Sequence, residues 1–253
     1  MYDAKDAAGP LFAERAERED AILPARERRR VLLVGATGLV GRCVIARTRH
    51  LPHIALQGLS RREMAFPAGT RMEMVLAPSP DWPEIVAALE PDAVICALGT
   101  TKAKAGSEEA FRKVDHDLVL SVARGAKASG TRGFVVVSSV GADTASRNFY
   151  LRVKGEMERD LKSLRFTRLD ILRPGLLRGE RTGDPRPLEK VGRLLAPVAD
   201  IALHGNRRKY RSLGANVVAA AALQATGEKA GGQFVHEHDG IKRLAARFGG
   251  DAK

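Results

Sequence analysis

The sequence predicts a doubly wound α/β fold, in which helices cover both faces of a mostly parallel β-sheet. Its apolar runs are short and continuous, as is typical of strands that are buried on both faces. These runs alternate with helical segments, as the crossovers between parallel strands require. A glycine-rich turn directly follows the first run. At 253 residues, the chain is long enough to bury one large core.

Residues 1–30 differ from the rest of the chain, being polar, charged and interrupted by Pro10 and Pro24. Such a segment buries little apolar surface, so we expect a flexible N-terminal extension. The predicted domain is then a single unit covering residues 31–253.

Periodicity and capping signals predict each element in turn. The predicted strands are 31–34, 54–59, 72–76, 93–98, 134–137 and 167–172. The predicted helices are 38–49, 81–89 (with Asp81 as its cap), 107–129 and 149–164. After Pro174 the alternation weakens, leaving predicted helices near 188–198 and 215–225 and a short apolar stretch at 233–236. We expect residues 176–253 to form one wall of a substrate cleft on the same sheet.

The charge balance is strongly basic, with 30 arginines, 12 lysines and a net charge of +12. Because this charge is spread along the chain and no basic stripe is interleaved with aromatic residues, nucleic-acid binding is not the expected role. A basic nucleic-acid-associated protein remains a minor alternative, and steep salt dependence of DNA binding would identify it.

The sequence also bears on the cellular location of the protein and on metal binding. It has no apolar run of about 18 residues, so no membrane contact is expected. The acidic residues of segment 1–30 argue against an organelle transit peptide, which predicts a cytoplasmic location. Cys43 and Cys96 both lie in apolar runs and are expected to be buried thiols. His236 and His238 give only a weak metal signal, and no metal is expected.

The first candidate site is the turn after the first strand, which carries Gly35, Gly38 and Gly41. The first glycine permits a tight turn, the second lets backbone amides approach a pyrophosphate, and the third allows close helix–strand packing. The pyrophosphate would lie at the positive end of the following helix. A glycine turn without a ligand is the alternative, but its position after the first strand favours a dinucleotide.

The end of the second strand bears on the choice of dinucleotide. NAD-binding proteins usually place an acid there to hold the ribose 2′-hydroxyl. This chain has Arg61 and Arg62 after Ser60, and two guanidinium groups attract a 2′-phosphate. The sequence therefore favours NADP(H) over NAD(H), although two solvated arginines in a turn would give the same pattern.

A catalytic group is predicted at the carboxyl end of the fifth strand, where Ser138 and Ser139 follow it directly. Tyr150 and Lys154 lie four residues apart on the next helix and share a face. A nearby ammonium favours the phenolate form of a tyrosine, which makes the phenol usable as an acid or base. Ser139 would hydrogen-bond the same substrate oxygen. The alternatives are a half-buried tyrosine and serines that serve the turn.

Together these segments resemble the short-chain dehydrogenase/reductase superfamily, a group with a Rossmann-type fold. More narrowly, they are similar to an atypical branch that includes the human Tat-interacting oxidoreductase-like protein. The matching segments are GATGLVG at 35–41, CALGTT at 96–101, VSSVGA at 137–142, NFYLRVKGE at 148–156 and LRPG at 172–175. They fall within residues 31–180, about 60% of the chain, and follow the family's order.

The resemblance implies roles for individual residues. The catalytic serine, tyrosine and lysine would be Ser139, Tyr150 and Lys154. The implied cofactor contacts are Gly35, Thr37, Gly38, Leu39, Val40, Gly41, Arg61, Arg62, Leu98, Gly99, Thr100, Ser138, Tyr150, Lys154, Pro174, Gly175 and Leu176. Two positions depart from the family pattern: Asp115 stands where an asparagine of the proton relay is common, and Ala77 where an acid near the adenine is common.

The expected function is therefore an NADPH-dependent oxidoreductase that transfers hydride to a carbonyl of a small-molecule substrate. The alternative is a non-catalytic NADPH-binding protein that senses redox state and regulates a partner. By analogy of fold, the helix at 107–129 could also pair with a second copy in a homodimer.

Overall fold

A computed structural model of the chain describes residues 28–66, 68–179 and 209–248. The predicted extension lies almost entirely outside the described residues. The predicted helix near 188–198 also lies outside them. The division into extension, domain and cleft wall accordingly stays a prediction.

The strands follow the apolar runs. Their bounds are β1 Arg29–Val34, β2 Ile54–Ser60, β3 Met72–Leu76, β4 Ala93–Cys96, β5 Gly133–Val137, β6 Arg168–Leu172, β7 Leu177–Arg178, β8 Leu213–Gly214 and β9 Gly232–His236. Seven of them form one sheet in the order β3-β2-β1-β4-β5-β6-β9. All neighbouring pairs of that sheet are parallel. The doubly wound α/β prediction is confirmed, and the strand order reverses between β1 and β4, where such sheets bind ligands.

The helices lie between the strands. Their bounds are α1 Leu39–Thr48, α2 Trp82–Leu89, α3 Lys102–Ala105, α4 Glu108–Arg112, α5 Leu118–Ala128, α6 Phe149–Ser163, α7 Ala215–Gly227 and α8 His238–Phe248. None of the described helices is long and apolar enough to span a bilayer.

Alternate side chains of each strand enter two separate cores, because successive residues of a strand point to opposite faces. On one face, Val31 and Leu33 of β1 pack against α1, α7 and α8. On the other face, Leu32 and Val34 pack against α2, α5 and α6. Both faces of β1 are therefore covered, which explains why its sequence is continuously apolar.

Two predicted helices need correction. The predicted helix 107–129 is interrupted by a π-helical turn, Lys113–Asp117, which joins α4 to α5. Asp81 is not a side-chain cap: it ends a 3₁₀ turn, Ser79–Asp81, and its carboxylate makes no capping hydrogen bond. At the start of α4, Ser107 does cap the helix, accepting a hydrogen bond from the Ala110 amide at 3.0 Å.

The C-terminal part of the chain contributes to the same sheet. β9 pairs with β6, and α7 packs in the same core as α1. The predicted elements at 215–225 and 233–236 are thus present, whereas α8 was not predicted. The role of this region as a cleft wall remains a prediction.

Candidate functional site

The β1–α1 turn is shaped by backbone contacts that exclude side chains. Gly35 has φ of +93°, and a Cβ there would stand 2.6 Å from the Ala97 carbonyl group. A Cβ on Gly41 would stand 2.3 Å from the Gly35 oxygen. The Gly38 amide donates to the Gly35 carbonyl at 3.0 Å. The turn is therefore built for glycine at the positions that the sequence singled out.

The start of α1 carries open amide donors. Gly38 occupies the cap position with extended backbone and no side-chain capping bond, and the first turn holds no acid. The first amides of a helix have no intrahelical acceptor, so this end attracts an anion. Thr37 is exposed, whereas Val40 is buried in the core. Leu39 lies against Gly179, whose Cβ position is 2.8 Å from the leucine side chain.

Arg61 and Arg62 follow β2 at the same edge of the sheet, and both are exposed. The Ser60 hydroxyl fixes the turn, accepting from the Arg62 amide at 3.3 Å and donating to its carbonyl at 2.9 Å. Within residues 28–66, 68–179 and 209–248, neither guanidinium has a hydrogen-bond or ion-pair partner. Both charges are available to a ligand.

A buried ion pair lies below the loop that follows β4. The Lys154 ammonium is 2.9 Å from Oδ1 of Asp115, and the two side chains are 4% and 1% exposed. Oδ2 of Asp115 accepts the Thr100 amide at 2.8 Å. A Cβ on Gly99 would stand 3.5 Å from Oδ1 of Asp115 and 4.0 Å from the Lys154 nitrogen, so this glycine lies directly against the ion pair. Gly99 and Thr100 thus lie beside the ion pair, while the Leu98 amide lies against Gly35.

This environment sets the protonation of Lys154. Burial alone lowers its pKa, but the charges of Asp115 and Tyr150 and the hydrogen bond to Asp115 outweigh that effect, and the net pKa is raised. Cys96, at the end of β4, is fully buried, and burial raises the pKa of its thiol to about 11. The lysine is an ammonium and the cysteine a neutral thiol at neutral pH.

The two serines after β5 have different surroundings. Ser138 is buried, and its hydroxyl donates to Oε1 of Glu158 at 2.6 Å. Arg173 binds the same carboxylate through Nε at 2.9 Å. Among the described residues, the Ser139 hydroxyl bonds only the Val140 carbonyl, at 3.3 Å. Of the two hydroxyls, that of Ser139 is the more available to a ligand.

Tyr150 lies in the first turn of α6, one turn before Lys154, and is 36% exposed. Its ring packs on that of Phe111 with centroids 5.5 Å apart. With Asn148 and Phe149, these rings line a cavity of about 360 Å³. The phenol is therefore fixed by its ring on one side and open to a cavity.

The segment after β6 leads into a small two-stranded sheet in which β7 pairs with β8. The Pro174 carbonyl accepts the Val140 amide at 3.0 Å, which ties it to the serine loop. A Cβ on Gly175 would stand 2.6 Å from the Arg211 carbonyl oxygen, and Leu176 is 56% exposed. Pro174, Gly175 and Leu176 thus lie at the carboxyl edge, beyond β5 and β6.

Two carboxylates of this site were not predicted as functional. Asp115 was noted only as a departure from the family pattern, although it is the partner of Lys154. Glu158 follows Lys154 by four residues on the same helix, and that spacing could have indicated a buried acid. Trp82 is buried and donates to the Ala77 carbonyl at 3.0 Å.

The two C-terminal histidines do not share a strand face. His236 ends β9 and lies 2.8 Å from Oδ1 of Asp170, whereas His238 begins α8. Across the described parts of the chain, no group of three His, Cys, Asp or Glu side chains is arranged to hold a metal ion.

Comparison with solved structures identifies the class. A Bordetella bronchiseptica enzyme, WbmH, in complex with NAD⁺ matches with a TM-score of 0.62 at 14% identity, covering 83% of this chain and 75% of the other. An ADP-L-glycero-D-manno-heptose-6-epimerase from Helicobacter pylori matches with a TM-score of 0.63 at 14% identity, covering 88% and 83%. The chain therefore has a Rossmann-type fold.

Sequence comparison gives the family. A family model described as HIM1 matches residues 72–195. A mitochondrial protein named fmp52 from Aspergillus fumigatus is 39% identical over 202 residues, covering 77% of this chain and 86% of the relative. The FMP52 protein of Saccharomyces cerevisiae is 39% identical over 154 residues, covering 60% and 67%. The chain belongs to the Fmp52 family.

These relatives correct one expectation. They are named mitochondrial proteins, so the predicted cytoplasmic location is wrong. The prediction failed because acidic residues argue only against one kind of N-terminal leader, and not against other ways of reaching an organelle.

Proposed function

We propose that the chain is an NADPH-dependent oxidoreductase that transfers hydride to a carbonyl of a small molecule, with Tyr150 as its acid/base. The observation that carries the proposal is the buried ammonium of Lys154. It lies one helical turn after Tyr150, beside Gly99 and at the carboxyl edge of the sheet. A charge is rarely buried in a core without a partner, and Asp115 is the partner here.

The residues present fit a dinucleotide. The turn carries no side chain at Gly35, Gly38 or Gly41, and the amides at the start of α1 are uncapped by a side chain. Such a turn suits a pyrophosphate. Arg61 and Arg62, exposed and without partners in the described ranges, suit a 2′-phosphate, which supports NADPH over NADH. The fold is also that of a protein solved with NAD⁺. A nicotinamide bound at this edge would supply the hydride.

The chain's own residues would handle the proton and the substrate oxygen. Tyr150 would donate its phenolic proton to the carbonyl oxygen, and the Lys154 charge would stabilise the phenolate that remains. Ser139, whose hydroxyl makes a long 3.3 Å bond to the Val140 carbonyl, would donate to the same oxygen and orient it. Leu176, which is exposed beyond β6, would contribute apolar surface.

Thermal unfolding tests cofactor binding first. A ligand that binds only the folded chain raises its melting temperature, so NADPH should raise it more than NADP, NADH or NAD at equal concentration. A carbonyl panel followed by NADPH oxidation then tests turnover.

The decisive variant is Tyr150→Phe, with Tyr210→Phe as the control for loss of an exposed phenol. We expect Tyr150→Phe to lose turnover by about a hundredfold or more while the NADPH-induced rise in melting temperature persists. Unchanged turnover would remove Tyr150 from the mechanism. Stoichiometric NADPH binding by the native chain without oxidation across the panel would instead favour the non-catalytic, redox-sensing role.

A further inference from the structure

One carboxylate connects two parts of the candidate site. Oδ2 of Asp115 accepts the backbone amide of Thr100 at 2.8 Å, and Oδ1 lies 2.9 Å from the Lys154 ammonium. Thr100 belongs to the loop after β4, whereas Lys154 belongs to α6. Asp115 is 1% exposed, so both contacts are shielded from water and are stronger than surface pairs.

The local backbone fixes this carboxylate. Asp115 lies in the π-turn between α4 and α5, and such turns are rare insertions that occur often at functional sites. The next residue, His116, contacts Oδ2 of Asp160 on α6 at 3.0 Å. Two consecutive side chains of the π-turn therefore hold α6, one at Lys154 and one six residues later.

The two contacts require an aspartate. An amide donor and an ammonium approach from different sides, and each needs an acceptor oxygen. An asparagine has a single acceptor oxygen, and its NH₂ group would face one of the two donors. An aspartate presents one oxygen to the Thr100 amide and the other to the ammonium, and its charge compensates that of the buried lysine.

We propose that Asp115 is a positioning residue that holds Lys154 as a fixed ammonium and couples it to the loop 98–100. This inference deepens the proposed function, on which its catalytic consequence rests. The buried ion pair itself can be tested without any cofactor or substrate.

The charged neighbours of Lys154 allow the effect of losing Asp115 to be deduced. The groups that face it are Asp115 from the π-turn, Tyr150 from α6 and Cys96 from β4. Burial lowers the pKa of Lys154, and Asp115 is the first of the groups that raise it. Without that carboxylate, burial dominates, and the ammonium would lose its proton at a lower pH.

The direct test is the titration of Lys154 by nuclear magnetic resonance in protein labelled with carbon-13 at the lysine ε position. The Lys154 resonance is assigned as the one that is missing from the spectrum of the Lys154→Met variant. In the native chain it should titrate at higher pH than the exposed lysines, and in Asp115→Asn its midpoint should fall by about one pH unit or more. Asp117→Asn, a change of the more exposed acid in the same turn, should leave the midpoint in place. A native midpoint below those of the exposed lysines would overturn the proposal even if Asp115→Asn did not fold.

The functional arm uses pH profiles of NADPH oxidation. We expect Asp115→Asn to move the alkaline limit of turnover to lower pH, and Asp115→Glu, which restores the charge, to move it back. If Asp115→Asn lowered the rate at every pH without shifting the alkaline limit, the role of Asp115 would be merely structural and the proposal would be contradicted. If the native chain neither binds nor oxidises NADPH, the proposed function fails. The lysine titration still tests whether Asp115 holds Lys154 as an ammonium.

Discussion

Arg173 binds the buried carboxylate of Glu158 through two nitrogens, with Nε 2.9 Å from Oε1 and a terminal nitrogen 2.5 Å from Oε2. The Ser138 hydroxyl donates to Oε1 from the other side at 2.6 Å. The carboxylate therefore connects α6 to the ends of β5 and β6. This contact holds the helix that carries Tyr150 and Lys154 against the carboxyl edge of the sheet.

Replacing Glu158 by glutamine should be strongly destabilising. The change keeps the shape but removes the charge from a site that is 2% exposed, leaving Arg173 without its counter-ion. Loss of one partner of a buried pair costs about 3–5 kcal/mol, and we expect the lower end because Arg173 is 20% exposed. Urea unfolding measures this difference.

The matched control is Glu156→Gln, two residues earlier on the same helix. Glu156 pairs with Arg112 near the surface, where such pairs contribute less than about 1 kcal/mol. Equal losses of stability for the two variants would show that the carboxylate of Glu158 has no special structural role.

Gly41→Ala tests the close approach of α1 to β1. In an ordinary helix, alanine is more stable than glycine by about 0.5–1 kcal/mol. Here the new Cβ would stand 2.3 Å from the Gly35 oxygen and 2.8 Å from the Ala36 Cα, so the helix must move. We expect a net loss of about 1–3 kcal/mol and a smaller NADPH-induced rise in melting temperature. Gly133→Ala, whose Cβ would meet its nearest neighbour at an ordinary 3.6 Å, should be nearly neutral.

The parts of this site that are local in sequence could be predicted from it. The glycine turn and the strand before it depend on residues close together in the chain, and both are where the pattern predicted them. The pair Asp115–Lys154 could not be derived in this way, because the two residues lie on separate helices and meet only through packing. The π-turn has no sequence pattern of its own, so a continuous helix was predicted at 107–129.

Helix α8 was not predicted either, although its sequence carries a helical pattern. Ile241, Leu244, Ala245 and Phe248 recur at helical spacing and pack on one core, so the signal was present. The helix begins at His238, immediately after the strand, with no glycine or proline to mark the change.

The double variant Arg61→Ala with Arg62→Ala tests the choice of cofactor. A charge-assisted hydrogen bond contributes about 1.5–3 kcal/mol, so the Kd for NADPH should rise about tenfold to a hundredfold, and that for NADH should stay constant. Calorimetric titration with both nucleotides measures the two constants. The control replaces two exposed neighbouring cations of α8, Lys242 and Arg243, by alanine. A parallel loss of NADPH and NADH affinity would contradict a 2′-phosphate contact.

The rate at which Cys96 reacts with a thiol reagent measures how often the region around Lys154 opens to solvent. Its thiol is fully buried and has a pKa raised to about 11, so only about one molecule in a thousand carries the reactive thiolate at pH 8. Cys43 is only partly buried. With a maleimide, native protein should therefore modify Cys43 first, and Cys96 should react only as fast as the chain opens. In Cys43→Ala the remaining reaction isolates Cys96, and NADPH should slow it further by stabilising the folded state. Rapid modification of Cys96 in folded Cys43→Ala protein would show that the end of β4 opens without global unfolding. In that case water would also reach Lys154 and Asp115.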